Sequence, residues 1–347
     1  MDERSGRGAA INVTVPRRVM MKLEKIELEN FRVFYGAQHL EFSTDPERNI
    51  TLIRAGNGVG KTTLLNAIFW GLYGEFVGRY FSEEPNALMV NLAALKEGKQ
   101  RSTVSVEFES NKTRYAVRRD FISVDAKCGP GHLLQAHKFV DGKMEPVQSV
   151  QTFINSILPR DTASKFFVDG ERLSFYGCEA QSEKWKKEIQ NILGSEVSDA
   201  KLSDARQQVS KCVDRCLKVQ HAARRYNFAF NDDYSMDFVC DGRVLRCRAT
   251  GENVLIGLAF TALLARLVSV RSGGAPMLLD SPFGSLDMMW REVAAEFIPQ
   301  MASQVILLLS GHECDGDTLD KLRPHIGAEY AFINEGNYSA TRIERIT

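Results

Sequence analysis

The sequence predicts an α/β fold with a largely parallel central sheet, and three observations predict it. Asn49–Arg54, Pro276–Asp280 and Gln304–Leu309 are short segments with apolar centres, the texture of buried strands. Stretches of helical content at 64–74, 252–270 and 288–302 alternate with them. A glycine-rich loop, AGNGVGKTT at 55–63, joins the first of these strands to the first helix.

Taken in order, residues 1–20 lack the apolar run of a signal peptide and read as a flexible leader, with folding starting near Met21. Lys22–Leu28 alternates polar and apolar as a half-buried strand does, and 37–42 reads as its partner. The helix at 64–74 ends on Gly74. Residues 102–109 and 113–119 alternate like an antiparallel hairpin around Ser110-Asn111-Lys112. Residues 150–158 read as a helix closed by Pro159. From about Glu179 to Arg225 the chain is polar and free of proline, which predicts two helical stretches with a break near Gly194. Strands resume at 226–231 and 236–247, with Asp241-Gly242 as a hairpin turn. The expected organisation is a leader (1–20), an N-terminal lobe (21–178), a helical coiled-coil stub (179–225) and a C-terminal lobe (226–347).

Bulk properties narrow the field. The 347 residues include 44 Lys and Arg against 44 Asp and Glu, so no global positive field exists and any nucleic-acid surface must be a local patch. No run of eighteen apolar residues occurs, so no membrane span is expected. Seven cysteines, an odd number, show no disulfide framework and suit a reducing cytoplasm.

The loop at 55–63 carries the first chemistry. A nucleotide polyphosphate needs backbone N–H groups and a helix N-terminus to cradle it without side-chain crowding. Gly56, Gly58 and Gly60 supply the turn, Lys61 reaches the β/γ-phosphates, and the Thr62 hydroxyl suits Mg²⁺. The expected nucleotide set here is Asn57, Gly58, Gly60, Lys61, Thr62 and Thr63. Ala55 stands where the phosphate-loop pattern has its first glycine.

The distal half adds the rest. Met277–Asp280 is an apolar strand ending in a carboxylate able to hold Mg²⁺, and Asp287 lies seven residues on, within Gly284-Ser-Leu-Asp287. The strand 304–309 runs into Ser310-Gly311-His312-Glu313, and Thr250-Gly251-Glu252 opens the apolar helix. In this order the motifs resemble ABC-type P-loop ATPases of the SMC and recombination-repair group, whose two sequence halves form one head that dimerises around ATP. The resemblance extends from about 22 to 345. It implies that Asp280 is the Walker B aspartate, Asp287 the D-loop aspartate and His312 the switch residue at the γ-phosphate. It also implies that Thr250, Gly251 and Glu252 cap a second copy's nucleotide. Phe166-Phe-Val-Asp-Gly-Glu-Arg172 stands at the Q-loop, putting Asp169 where relatives sense Mg²⁺ through glutamine. That string, with Asp-Ser-Pro-Phe-Gly-Ser-Leu-Asp at 280–287, is similar to the DndD family, coiled-coil ATPases of bacterial DNA phosphorothioation systems.

Two departures touch mechanism. Ser281 follows Asp280 where the family has a water-polarising glutamate; its hydroxyl is a poor base but can position water, and Glu171 or Glu313 are alternatives. Ala249 replaces the signature serine. The resemblance therefore implies an ATP- and Mg²⁺-dependent head with slow turnover, partnered by a second copy, by DNA and by proteins of a modification, defence or repair complex. A nuclease-associated double-strand-break repair ATPase and an ATP-binding scaffold without turnover remain alternatives.

The interval between the halves is far shorter than the heptad-patterned arms of SMC-like relatives. Cys212 and Cys216 sit near its expected tip, and their C-x-x-x-C spacing fits one helical turn better than a zinc hook. Arg118-Arg119, Lys186-Lys187 and Arg224-Arg225 are the basic pairs available to DNA phosphates.

Overall fold

The computed structural model describes residues 21–77, 89–123, 131–170, 173, 199–220, 226–231, 236–245, 249–272, 274–314, 316–334 and 340–347. The leader 1–20, Glu171, Arg248, the expected helix break at Gly194 and the pairs Lys186-Lys187 and Arg224-Arg225 lie outside the described residues.

The N-terminal part contains β1 (Met21–Glu29), β2 (Ala37–Glu41), β3 (Ile50–Ala55), α1 (Lys61–Tyr73), α2 (Leu92–Lys96), β4 (Arg101–Ser110), β5 (Thr113–Ile122), β6 (Gly131–Val140), β7 (Lys143–Pro146), α3 (Val150–Ile157), α4 (Arg160–Ala163) and β8 (Phe167–Asp169). The C-terminal part contains α5 (Asp199–Gln220), β9 (Tyr226–Phe230), β10 (Met236–Cys240), β11 (Arg243–Val244), α6 (Thr250–Ser272), β12 (Met277–Asp280), α7 (Met288–Phe297), β13 (Val305–Leu309), α8 (Gly316–Leu322), β14 (Ile326–Ile333) and β15 (Arg342–Arg345).

The central sheet runs β15-β14-β3-β13-β12-β8, with every pairing parallel except β14 with β15. Its inner strands are buried on both faces, as in β12 and β13, whose residues are buried throughout. A second six-stranded sheet, β2-β1-β4-β5-β6-β7, is wholly antiparallel. The sequence anticipates the β1–β2 pair and the β4–β5 hairpin within it, but not β6 and β7 nor the β14–β15 hairpin.

Helix α1 lies between the two sheets, touching β4 and β5 on one side and β8 and β12 on the other. Eleven of its thirteen residues are buried, which explains an apolar surface all round rather than one stripe. It ends at Gly74, in the left-handed conformation, whose N–H donates to Trp70 O.

Arg119 caps that end. Its guanidinium donates to Gly71 O and Leu72 O at 3.3 Å and to Gln151 Oε1 at 2.9 Å, with the Trp70 ring 5.8 Å away. Burial lowers its pKa to about 10. The Arg118-Arg119 pair is thus no joint surface patch for DNA. Arg119 is buried, because strand alternation turns it inward while Arg118 faces out to Asp120.

Helix α6 is long and apolar enough to cross a membrane by composition, yet 89% of its apolar window is buried in the core. Helix α5 packs on α6, α7 and β9. Its Asp214 Oδ1 and Ser210 Oγ accept the Phe228 and Phe230 N–H groups, tying β9 to the helix. Cys212 and Cys216 lie buried on its inner face, where Gln300 bonds to both, an environment of core packing.

Arg119→Ala is expected to leave Gly71 O and Gln151 Oε1 without the guanidinium donor, Leu72 O keeping only Gln151 Nε2, at a cost of about 2–4 kcal/mol. Urea unfolding of the two proteins checks it; an unchanged midpoint would mean that α1 is held without Arg119.

Candidate functional site

All parallel strands of the central sheet end on the same edge, so the loops after β3, β8, β12 and β13 converge there. The sequence-predicted residues other than Glu171, which lies outside the described residues, are placed as follows.

The loop after β3 exposes Gly56, Asn57 and Gly58 and buries Gly60 and Lys61. Gly60 has φ 121°, and a Cβ there would stand 2.9 Å from Val33 Cγ2 and 3.2 Å from the Phe34 ring, so only glycine fits. Ala55 is the last residue of β3 and has no positive φ, so alanine costs no backbone strain where the pattern has glycine. The first turn of α1 carries Lys61, Thr62 and Thr63 and no acidic residue, leaving the positive end of the helix free to meet anions.

Lys61 Nζ folds back onto its own loop, 3.2 Å from Ala55 O, 3.1 Å from Gly56 O and 3.5 Å from Asn57 Oδ1. Burial pushes its pKa down, while Asp280 and Glu313 pull it back up. Thr341 steadies the loop from far along the chain, its buried hydroxyl donating to Val59 O at 2.9 Å. No local signal in the sequence points to Thr341.

Thr62 Oγ1 donates to Asp280 Oδ2 at 2.5 Å. Asp280 ends β12 and is 6% exposed. Its pKa is raised to about 6, chiefly by burial and further by Asp169 and Glu313, against the lowering effect of the Thr62 hydroxyl and Lys61. Asp169 ends β8, in register with Asp280 across the parallel pair. Behind it, Gly170 lies so close that a Cβ would stand 2.2 Å from Ser281 O. The sequence places Asp280 at a strand end and the resemblance puts Asp169 at the Q-loop; the short strand β8 and its parallel register set the two side by side.

Among the described residues no group of three His, Cys, Asp or Glu side chains forms a metal cage. The donor set here is instead a hydroxyl and two carboxylates beside a phosphate-type loop. Hard oxygens of this kind fit Mg²⁺, which keeps water and takes further ligands from a bound polyphosphate.

Ser281 has φ 51°, in the left-handed region, and its N–H donates to Leu308 O. Asp287 is exposed and N-caps α7, accepting from Trp290 N at 3.0 Å. His312 is exposed in a short 3-10 turn, with both ring nitrogens 3.1–3.3 Å from Ser310 Oγ. Glu313 is fully buried and accepts from Ser310 and from Phe283 N. That corrects the expectation that it could activate water, since both its oxygens are engaged inside the protein.

The signature segment opens α6. Thr250 is exposed, while Glu252 is buried and accepts from Ala249 N at 2.7 Å, capping the helix. Gly251 is pressed against Trp290, whose indole a Cβ would meet at 2.4 Å.

With this geometry in hand, comparison with known proteins gives consistent results. The Smc head bound to the C-terminal winged-helix domain of ScpA superposes with a TM-score of 0.59 at 13% identity, covering 94% of this chain and 98% of that one. The Thermotoga maritima SMC head domain gives 0.50 at 15% identity, with 94% and 99% covered. A Smc head with an extended coiled coil, bound to a ScpA domain derived from Pyrococcus furiosus, gives 0.52 at 12% identity, with 94% and 97% covered. The DNA double-strand break repair Rad50 ATPase of Pyrococcus abyssi (strain GE5 / Orsay) is 29% identical over 146 residues. That match spans 40% of this chain and only 14% of the length of Rad50.

The chain has the fold of an SMC head, and with its phosphate-type loop and the family match below it is an ATPase. The family described as an AAA domain matches residues 25–232, more than half of the chain, and the chain belongs to that family.

The raised pKa of Asp280 has a consequence for stability. An acid whose folded pKa exceeds its unfolded value holds its proton better in the folded state, so its contribution is lost as pH rises from about 4 to 6. The linkage amounts to about 3 kcal/mol. Asp280→Asn should therefore match or undercut wild-type stability at pH 4 and exceed it at pH 8, read by urea unfolding without nucleotide. Parallel pH profiles for the two proteins would contradict a carboxylate held protonated by burial.

Proposed function

We propose that this chain binds ATP with Mg²⁺ and hydrolyses it slowly, as one of two heads that close around the nucleotide. The observation that carries the reading is the joint placement of Lys61, Thr62, Asp169 and Asp280 at one sheet edge, with Ser281 rather than a carboxylate after Asp280.

Asn57, Gly58, Gly60 and Thr63 present the phosphate-facing backbone, and Lys61 leaves its loop carbonyls to meet the β/γ-phosphates. Thr62, Asp169 and Asp280 would hold Mg²⁺, which would supply positive charge against that developing on the phosphoryl oxygens. His312, exposed on its turn, meets the γ-phosphate. Ser281 orients water without taking its proton, which supports slow turnover. Thr250, at the positive end of the long helix α6, and the exposed Asp287 face the nucleotide of a second copy. Glu252 serves this from behind, as the cap of α6.

The setting we propose is DNA modification or defence of the phosphorothioation type in the cytoplasm, with DNA and other proteins of such a complex as partners. The Asp169-Gly170-Glu171 and 280–287 strings support it. The Rad50 match favours a second reading, a repair ATPase working with a nuclease.

Turnover per head measured against protein concentration, with Lys61→Ala as the blank, tests the proposal. The expected result is a rate that rises with concentration and is abolished in the variant. A concentration-independent rate would sink the shared-nucleotide arrangement, and bound ATP with no turnover would leave a scaffold.

A further inference from the structure

Among the described residues Glu313 is the most deeply buried carboxylate at the edge of the central sheet, one residue from His312. Its Oε2 accepts from Ser310 N at 2.8 Å and from Ser310 Oγ at 2.5 Å. Its Oε1 accepts from Phe283 N at 2.9 Å, on the segment just past Asp280 and Ser281. One carboxylate therefore bridges two loops that leave adjacent strands, β12 and β13. A buried carboxylate is tolerable only when its lone pairs are met, and here three donors from the two loops meet them.

The bridge has a direction. The Ser310 Oγ–H donates to Glu313, so Ser310 Oγ is left as an acceptor facing the His312 ring nitrogens. On the other side, Phe283 N is fixed two residues from Ser281. The left-handed turn at Ser281 closes with Gly284 N donating to Ser281 O.

We infer that Glu313 is a positioning residue that locks the His312 turn to the Ser281–Phe283 turn, so that the two move as one unit. This supplies what the missing carboxylate after Asp280 cannot. Ser281 orients water only if its backbone is held, and Glu313 holds it from the neighbouring loop. The consequence for turnover rests on the ATP-hydrolysing function proposed above; the mechanical link does not.

The test uses the full chain with Glu313→Ala and Glu313→Gln, the second carrying it should the first not fold. Amide hydrogen exchange of peptides spanning 281–287 and 310–314 reads the link without nucleotide. Loss of protection in both peptides for Glu313→Ala, partly restored in Glu313→Gln, which keeps one acceptor oxygen, is the expected result. Unchanged protection over 281–287 overturns the link. Steady-state ATP turnover reads the function: kcat should fall about tenfold or more in Glu313→Gln with KM within about threefold. Wild-type kcat in a variant whose two peptides have both lost protection overturns the positioning role. A wild-type protein that turns over no faster than Lys61→Ala refutes the ATP-hydrolysing reading instead, and the exchange result then decides the link alone.

Discussion

The pairing of β3 between β13 and β14 is the constraint on which the rest depends. β3 comes from the first sixth of the chain, and its neighbours come from the last. Neither part can complete the central sheet by itself: without β3, the pair β12–β13 loses its link to β14, and without β12 the short β8 has no neighbour. Side chains reinforce the same junction. Gln304 accepts from Leu23 N and donates to Leu23 O and Ser43 O, while Asn49 donates to Pro299 O and Ala302 O. Because these groups are buried, leaving any one unpaired costs about 1–3 kcal/mol, so the register is held closely.

That register decides the chemistry. Parallel strands deliver their carboxyl ends to one edge, so a shift along β12 would separate Asp280 from both Thr62 and Asp169. The edge is self-satisfied as it stands. Lys61 is bonded to its own loop and Thr62 to Asp280, so a phosphate or a metal entering here exchanges existing bonds for stronger, charge-assisted ones. Net affinity is then a difference between two bonded states, which limits how tightly such a site can bind.

How much was legible in the sequence depends on how local each signal is. The phosphate-type loop, the strand ending in Asp280 and the helix opened by Thr250 are contiguous patterns, and each lies where its pattern predicts. Arg119 misleads as half of a basic pair, because facing depends on strand alternation and on which sheet face α1 covers. Glu313 reads as a free carboxylate, because the Phe283 N–H that engages it lies thirty residues upstream. Thr341 gives no signal at all: its contact with Val59 spans 282 residues. β6 is hidden by polar residues such as Gln135 and Lys138, which a strand at the outer side of an antiparallel sheet accommodates.

Ser281 shows how the edge combines strain with support. A non-glycine residue with φ near 51° sits in a sparsely populated region, at a cost of about 1–2 kcal/mol. Such a conformation persists only where the surroundings over-determine it. Here Ser281 N is bonded to Leu308 O, Ser281 O accepts from Gly284 N, and Gly170 packs directly against that carbonyl. The strain is local, but its restraints come from β13, from the turn ahead and from the loop after β8. A residue in this conformation leaves the alternation of the strand, so the side chain after Asp280 is aimed by the turn and not by β12. The serine at this position is thus not a bare deletion of a carboxylate. It is a small polar group on a sharply turned backbone held from three sides, the support that the water-orienting role proposed for it requires.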